Sequence, residues 1–223
     1  MSMKYSIAFL FLFINSVLFG QLPKGFVYVK DIVPDLNVEL RYNTDNNFVG
    51  KRIEGYRSNK LILTTEAAHA LKQVQEALQN QNLCLLVYDG YRPQRAVNHF
   101  MNWAQNLNDT VNKQKYYPYV KKKDLFKEEY IATRSGHSRG STLDLTIIDG
   151  NTGKPIDMGS SYDFFGEASW VNFEGISKEQ KANRQLLQTV MLQYGFRNYP
   201  KEWWHFTLRQ EPFLDTYFDF VID

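Results

Sequence analysis

"LCLLVYDGYRPQRAVNHFMNWAQNL", residues 83–107, changes period in its middle, and that change decides the fold class. Leu83 to Gly90 is an apolar run of strand length that ends on glycine. From there Val97, Phe100, Met101, Ala104 and Leu107 repeat at intervals of three and four, with Pro93 where the first turn of a helix accepts proline. A buried strand therefore runs directly into a helix, and Arg92 stands at the junction. Upstream, "GFVYVKDI" (25–32) and "VELRY" (38–42) read as short strands, and Ala67, Leu71, Val74 and Leu78 give helical spacing within 64–80. Downstream, "STLDLTII" (141–148) and "WWHFTL" (203–208) read as strands. A further helix starts at Ser177 with Gln180 in capping-box spacing, runs through Leu186, Leu187, Val190, Met191 and Tyr194, and stops at Gly195. Strands and helices mix without strict βαβ alternation. The expectation is one α+β domain with a mainly antiparallel central sheet and flanking helices.

Composition narrows the function classes. With 223 residues the chain suits one domain with a sizeable core. A formal net charge of +2 gives no reason to expect a nucleic-acid or anionic-membrane partner, and the run Lys121–Lys123, followed by Asp124, reads as solvated surface. The N-terminus differs from the rest: a basic start at Lys4, an apolar stretch from Ile7 to Phe19 broken by Asn15, then Gly20. That stretch is shorter than the ~18–20 apolar residues of a membrane span, so residues 1–20 are expected to be a cleaved signal peptide. The mature domain would be 21–223, exported, periplasmic and without a stable membrane anchor. Cys84, the single cysteine, has no intramolecular partner and is expected to pack as a small hydrophobe.

The candidate chemistry lies in two of the strands. In "STLDLTII" side chains alternate, so Leu143, Leu145 and Ile147 share one face while Thr142, Asp144 and Thr146 share the other. A mid-strand carboxylate costs free energy unless it is exposed, paired or bound to a cation. His137 lies seven residues upstream in a loop with glycines at 136 and 140, which lets the loop fold back toward the Asp144 face. "WWHFTL" places Trp203, His205 and Thr207 on one face, so His205 and Asp144 can meet if the two strands are neighbours. Taken singly, Asp144 reads as a satisfied acceptor and His205 as a packed aromatic; the joint pattern favours a metal. Two imidazoles and one carboxylate, with a fourth position left to water, form the ligand set of a catalytic zinc site. Regular alternation puts Glu202 on the face opposite His205, but Pro200 implies that the strand has scarcely begun there, so a turn can bring the carboxylate to that water. His69 and His99 fall in helical stretches and read as ordinary.

"SGHSRGSTLDLT" (135–146), "EWWHF" (202–206) and "DGYRP" (89–93) resemble the zinc-dependent D-alanyl-D-alanine dipeptidases of the VanX type, relatives of the bacterial D,D-carboxypeptidases. The similarity continues through "NNFVGKRIEGY" (46–56), "MGSSYDF" (158–164) and "DTYFDF" (215–220). It implies a D,D-peptidase/hedgehog-like fold in which His137, Asp144 and His205 hold one zinc ion per chain. It further implies that Glu202 is the general base, that Arg92 stabilises the oxyanion, that Asp163 takes the substrate ammonium, and that Tyr42 and Ser135 line a small pocket. The implied reaction is hydrolysis of the dipeptide D-Ala-D-Ala. The alternatives are a D,D-carboxypeptidase acting on peptidoglycan stem peptides and a catalytically silent zinc-stabilised binding module; the latter has no use for Glu202. One departure stands out: the family often has a second serine where this chain has Gly136.

Overall fold

The computed structural model describes residues 22–223, so the expected signal peptide at 1–20 lies outside the described residues. In chain order the elements are β1 (Phe26–Tyr28), β2 (Asn37–Val38), β3 (Ile62–Thr64), α1 (Thr65–Gln79), β4 (Leu83–Asp89), α2 (Gln94–Gln105) and the short α3 (Lys113–Tyr116). They are followed by β5 (Thr142–Asp149), α4 (Lys178–Gln193), β6 (Phe196–Tyr199) and β7 (Glu202–Leu208). Five strands form one sheet in the order β2-β4-β5-β7-β6, in which only the β2–β4 pair is parallel. β1 and β3 form a separate antiparallel pair. This is the mainly antiparallel α+β architecture expected.

The helices begin where the local chemistry dictates. Thr64 caps α1 by accepting from the Ala67 amide at 3.4 Å, and Ser177 and Gln180 close a reciprocal capping box on α4. Leu71, Val74 and Leu78 of α1 and Leu187, Val190 and Met191 of α4 join Leu85, Val87, Leu143, Leu145 and Ile147 of the sheet in one apolar core. Each such side chain contributes about 1.5–3 kcal/mol on burial. A second, aromatic cluster lies around α2 and includes Tyr42, Phe48, Tyr56, Phe100 and Trp103. β5 is buried from Thr142 to Ile148, so its polar face is covered as fully as its apolar one.

Five expectations change, one of them at Lys122, which is buried with its ammonium 3.9 Å over the Trp103 ring rather than solvated. "VELRY" pairs only through Asn37–Val38 and becomes a 3-10 turn at Arg41–Asn43, because the Leu40 amide turns to Asn59 Oδ1 (3.2 Å) and Tyr42 packs edge-on against Phe48 and Tyr56. "GFVYVKDI" is strand for three residues before a 3-10 turn at Val29–Asp31. α2 stops at Gln105, leaving Leu107 outside it and 53% exposed. β6 was not expected at all: Phe196–Tyr199 carries too few residues for alternation to show, and pairing with β7 makes it a strand.

Candidate active site

The site starts from strand register. Asp144 in the middle of the sheet is aligned with Asp89 on β4 and with His205 on β7. Aligned partners across antiparallel strands present their side chains on the same face, so three strands deliver two carboxylates and an imidazole to one row. Next along the row Thr142 and Thr207 hydrogen-bond through their hydroxyls at 2.8 Å.

His137 arrives from the 3-10 turn Gly136–Arg139, which follows Ser135 and ends at Gly140. Gly140 has φ +83°, and a Cβ there would lie 2.2 Å from the Phe26 ring, so both conformation and space demand glycine. Ser135 Oγ caps the turn by accepting from the His137 amide at 3.3 Å. His137 Nδ1 donates to the Gly90 carbonyl at 2.8 Å, which leaves the Nε2 lone pair facing inward. There Nε2 lies 3.3 Å from Asp144 Oδ1 and 3.4 Å from His205 Nδ1, and His205 Nδ1 lies 3.1 Å from Asp144 Oδ1. Ligands about 2.0–2.1 Å from a tetrahedral zinc stand about 3.3–3.4 Å from one another. The three donors therefore have the spacing and the chemistry of a zinc face, and lone pairs crowded this closely are stabilised by a cation. Burial pushes His137 down and Asp144 reverses only part of that, which keeps the imidazole neutral, as a ligand must be. Burial alone would raise Asp144, but His137 and His205 together hold its carboxyl well below the usual range.

Glu202 begins β7 immediately after the turn at Pro200–Lys201, where it pairs with Tyr199 across a register shift. That irregularity overrides simple alternation and brings Glu202 Oε2 to 3.3 Å from His205 Nδ1. Burial raises its pKa to about 7, against the pull of His205. A carboxylate tuned near neutrality suits general base work.

Arg92 leaves the β4–α2 junction with its side chain 12% exposed and is gripped by Asp89, from Nε at 2.9 Å and from Nη2 at 2.8 Å. Nη2 also stands 3.5 Å from Asp144 Oδ2, so the guanidinium separates two buried carboxylates that would otherwise repel. Its Nη1 has no partner among the described residues. Asp89 is fully buried and also accepts from the Tyr56 hydroxyl at 2.6 Å. Asp89 stands in "DGYRP" with no task legible from the sequence. The available signal was an acid three residues before an arginine at a strand end.

Asp163 is buried, in left-handed backbone at φ +60°, and has no ion-pair partner among the described residues. It accepts from the Tyr42 hydroxyl at 3.0 and 3.2 Å. Burial and then the nearby Asp144 charge push its carboxyl well above the ordinary range, the state of an acid that lacks a cation. Tyr162, another residue without an assigned role in the sequence, donates to Asp144 Oδ2 at 3.1 Å. A cavity of about 300 Å³ connects Asp163, Tyr42, Arg92, Glu202 and Ser135 with the His-Asp-His cluster. Ligand pockets run from ~300 to 1,000 Å³, so this one suits a small substrate. All eight residues singled out in the sequence are thus brought to one cavity wall.

A donor triangle of this spacing beside a glutamate near neutrality has the parts that a metallopeptidase needs. Comparison with known proteins makes the family definite. A sequence profile of the M15 peptidases, described as D-ala-D-ala dipeptidase, matches residues 23–223, and the chain belongs to that family. A D-alanyl-D-alanine dipeptidase from Enterococcus faecium is 40% identical over 198 residues, covering 89% of this chain and 98% of the relative. One from Streptomyces coelicolor is 40% identical over 197 residues, covering 88% and 98%, and one from Escherichia coli is 35% identical over 179 residues, covering 80% and 82%. Among solved structures, a mutant of the vancomycin-resistance D,D-pentapeptidase VanY in complex with Zn(II) aligns with TM-score 0.41 and 18% identity, covering 68% of this chain and 75% of that one.

Proposed function

We propose that the protein hydrolyses the dipeptide D-Ala-D-Ala to two molecules of D-Ala, using one zinc ion held by His137, Asp144 and His205. The observation that carries the reading is the donor triangle with sides of 3.1, 3.3 and 3.4 Å opening on a cavity that also holds Glu202 and Asp163. Zinc bound there would supply Lewis acidity, polarising a carbonyl and lowering the pKa of water to about 7. Glu202 takes a proton from the attacking water and delivers it to the leaving amine. Arg92, with Nε and Nη2 fixed by Asp89, offers Nη1 to the developing oxyanion. Asp163 receives the free ammonium, which gives this buried acid its missing cation, and Tyr42 orients the carboxylate. Ser135 spends an acceptor lone pair on the His137 amide and keeps its O–H for the substrate.

A substrate acylated at its amino end would leave Asp163 buried and unpaired, which favours the dipeptide over wall stem peptides. The test is D-Ala release from D-Ala-D-Ala and from its N-acetyl analogue, with metal analysis of the same preparation. Zinc at one per chain, loss of turnover with a chelator and strong preference for the free dipeptide are expected. Equal cleavage of the blocked compound would transfer the protein to the D,D-carboxypeptidases. Glu202→Gln is expected to keep zinc and lose nearly all hydrolysis; a silent binding module would be indifferent to that change. We also propose export to the periplasm, on the strength of Lys4 and the apolar stretch from Ile7 to Phe19. Among the described residues no helix is long and apolar enough to cross a membrane.

A further inference from the structure

We infer that Arg134 is a specificity residue that receives the carboxylate end of the substrate. The inference rests on the dipeptidase reading and extends it to the end of the dipeptide that Asp163 does not contact. A free dipeptide is a zwitterion, so a cavity with a place for its ammonium still faces an unmatched carboxylate. Among the described residues two permanently charged cations line this cavity, Arg92 and Arg134. Arg92 is spoken for, being wedged between Asp89 and Asp144.

Arg134 is different. It is exposed and makes no ion pair or hydrogen bond among the described residues. Its guanidinium lies over the Tyr217 ring, 5.0 Å from the centroid. A cation held over a ring face uses none of its N–H donors in hydrogen bonds, so the guanidinium keeps them for a carboxylate. The platform beneath is anchored. Tyr217 accepts from Arg139 Nη1 at 3.4 Å, and Arg139 is clamped by both oxygens of the buried Glu211, at 2.7 and 2.8 Å. Among the described residues no acid on the cavity wall pairs with Arg134. Glu129 is paired with Lys201 at 2.5 Å, Asp144 is enclosed by the histidines, Asp163 is bonded by Tyr42, and Glu202 sits beside His205. Arg134 also directly precedes Ser135, which lines the same cavity.

The test compares D-Ala-D-Ala with its C-terminal amide, in which the carboxylate is neutralised. Arg134→Gln is expected to raise KM for the dipeptide roughly tenfold, the scale of one charge-assisted contact partly screened by solvent. kcat and the KM for the amide should stay within about twofold, because the chemistry at Glu202 and Arg92 is untouched. Arg134→Lys should recover part of the loss, a charge without the planar fork. Direct titration of both compounds into Glu202→Gln protein, with and without Arg134→Gln, gives the same ratio without turnover. An unchanged dipeptide KM, or an equal rise for dipeptide and amide, overturns the assignment and reduces Arg134 to a packing role on Tyr217. Wild-type protein that hydrolyses neither compound sinks the dipeptidase reading, while the titration ratio still decides Arg134.

Discussion

Asp89→Asn removes one charge from the point where three strands converge. The native carboxylate is fully buried, takes Nε and Nη2 of Arg92 at 2.9 and 2.8 Å, takes the Tyr56 hydroxyl at 2.6 Å and stands 3.5 Å from His137 Nδ1. Taking away one member of a buried pair costs about 3–5 kcal/mol, since the other charge stays buried without compensation. Here Asp144 Oδ2 remains 3.5 Å from Arg92 Nη2 and the amide oxygen still accepts one bond, which places the cost near the lower bound, about 3 kcal/mol. For a domain of this size each kcal/mol moves Tm by about 2–4 °C, so a fall of about 6–12 °C is expected. Both Arg92 contacts end on Oδ2, so Arg92 would also lose the charge that aims it, and losing one oxyanion donor costs about 10²- to 10³-fold in rate. Thermal unfolding and kcat on D-Ala-D-Ala, measured on the same metal-loaded preparation, separate the two effects. A Tm within 2 °C of wild type together with full turnover would refute the reasoning, because neither the buried pair nor the aim of Arg92 would then depend on Asp89. Lower Tm with full turnover would leave Asp89 in the fold and remove it from the site.

The remaining predictions concern packing around the same centre. Gly136→Ser brings a Cβ to 2.8 Å from Thr142 Oγ1, which is itself buried and bonded to the buried Thr207, so a loss of about 1–3 kcal/mol is expected in denaturant unfolding. Adding Thr142→Ala should restore most of it, and no recovery would show that the contact does not set the cost. Arg184→Met removes a buried guanidinium that donates to the carbonyls of Met158, Trp170 and Ala168 at 2.6–2.7 Å, tying both ends of the loop that carries Asp163. Stability should fall by about 3 kcal/mol and KM should rise more than kcat falls; an unaltered KM would detach Asp163 from that anchor. Ser177→Ala opens the capping box of α4 and should cost about 1 kcal/mol by chemical unfolding with turnover unchanged, since α4 supports the core rather than the cavity.

Several parts of the molecule could be seen in the order of residues alone. Ser177 and Gln180 mark the start of α4 because a cap is satisfied within one turn. Asp144 could be set apart from Leu143 and Leu145 because strand alternation is a property of the backbone. His137, His205 and Glu202 could be added from the same alternation and from the loop and turn residues beside them, and the family resemblance carried Arg92, Asp163, Tyr42 and Ser135. Strand order was beyond such reasoning: that β4 and β7 flank β5, and so align Asp89, Asp144 and His205, depends on pairings between segments about 60 residues apart. The grip of Asp89 on Arg92, the bond from Tyr162 to Asp144 and the register shift that turns Glu202 toward His205 likewise arise only once the chain has closed. Local rules govern which way a side chain points along its own element. The energy of a buried charge depends on what distant segments place beside it, and that was decided by the tertiary structure.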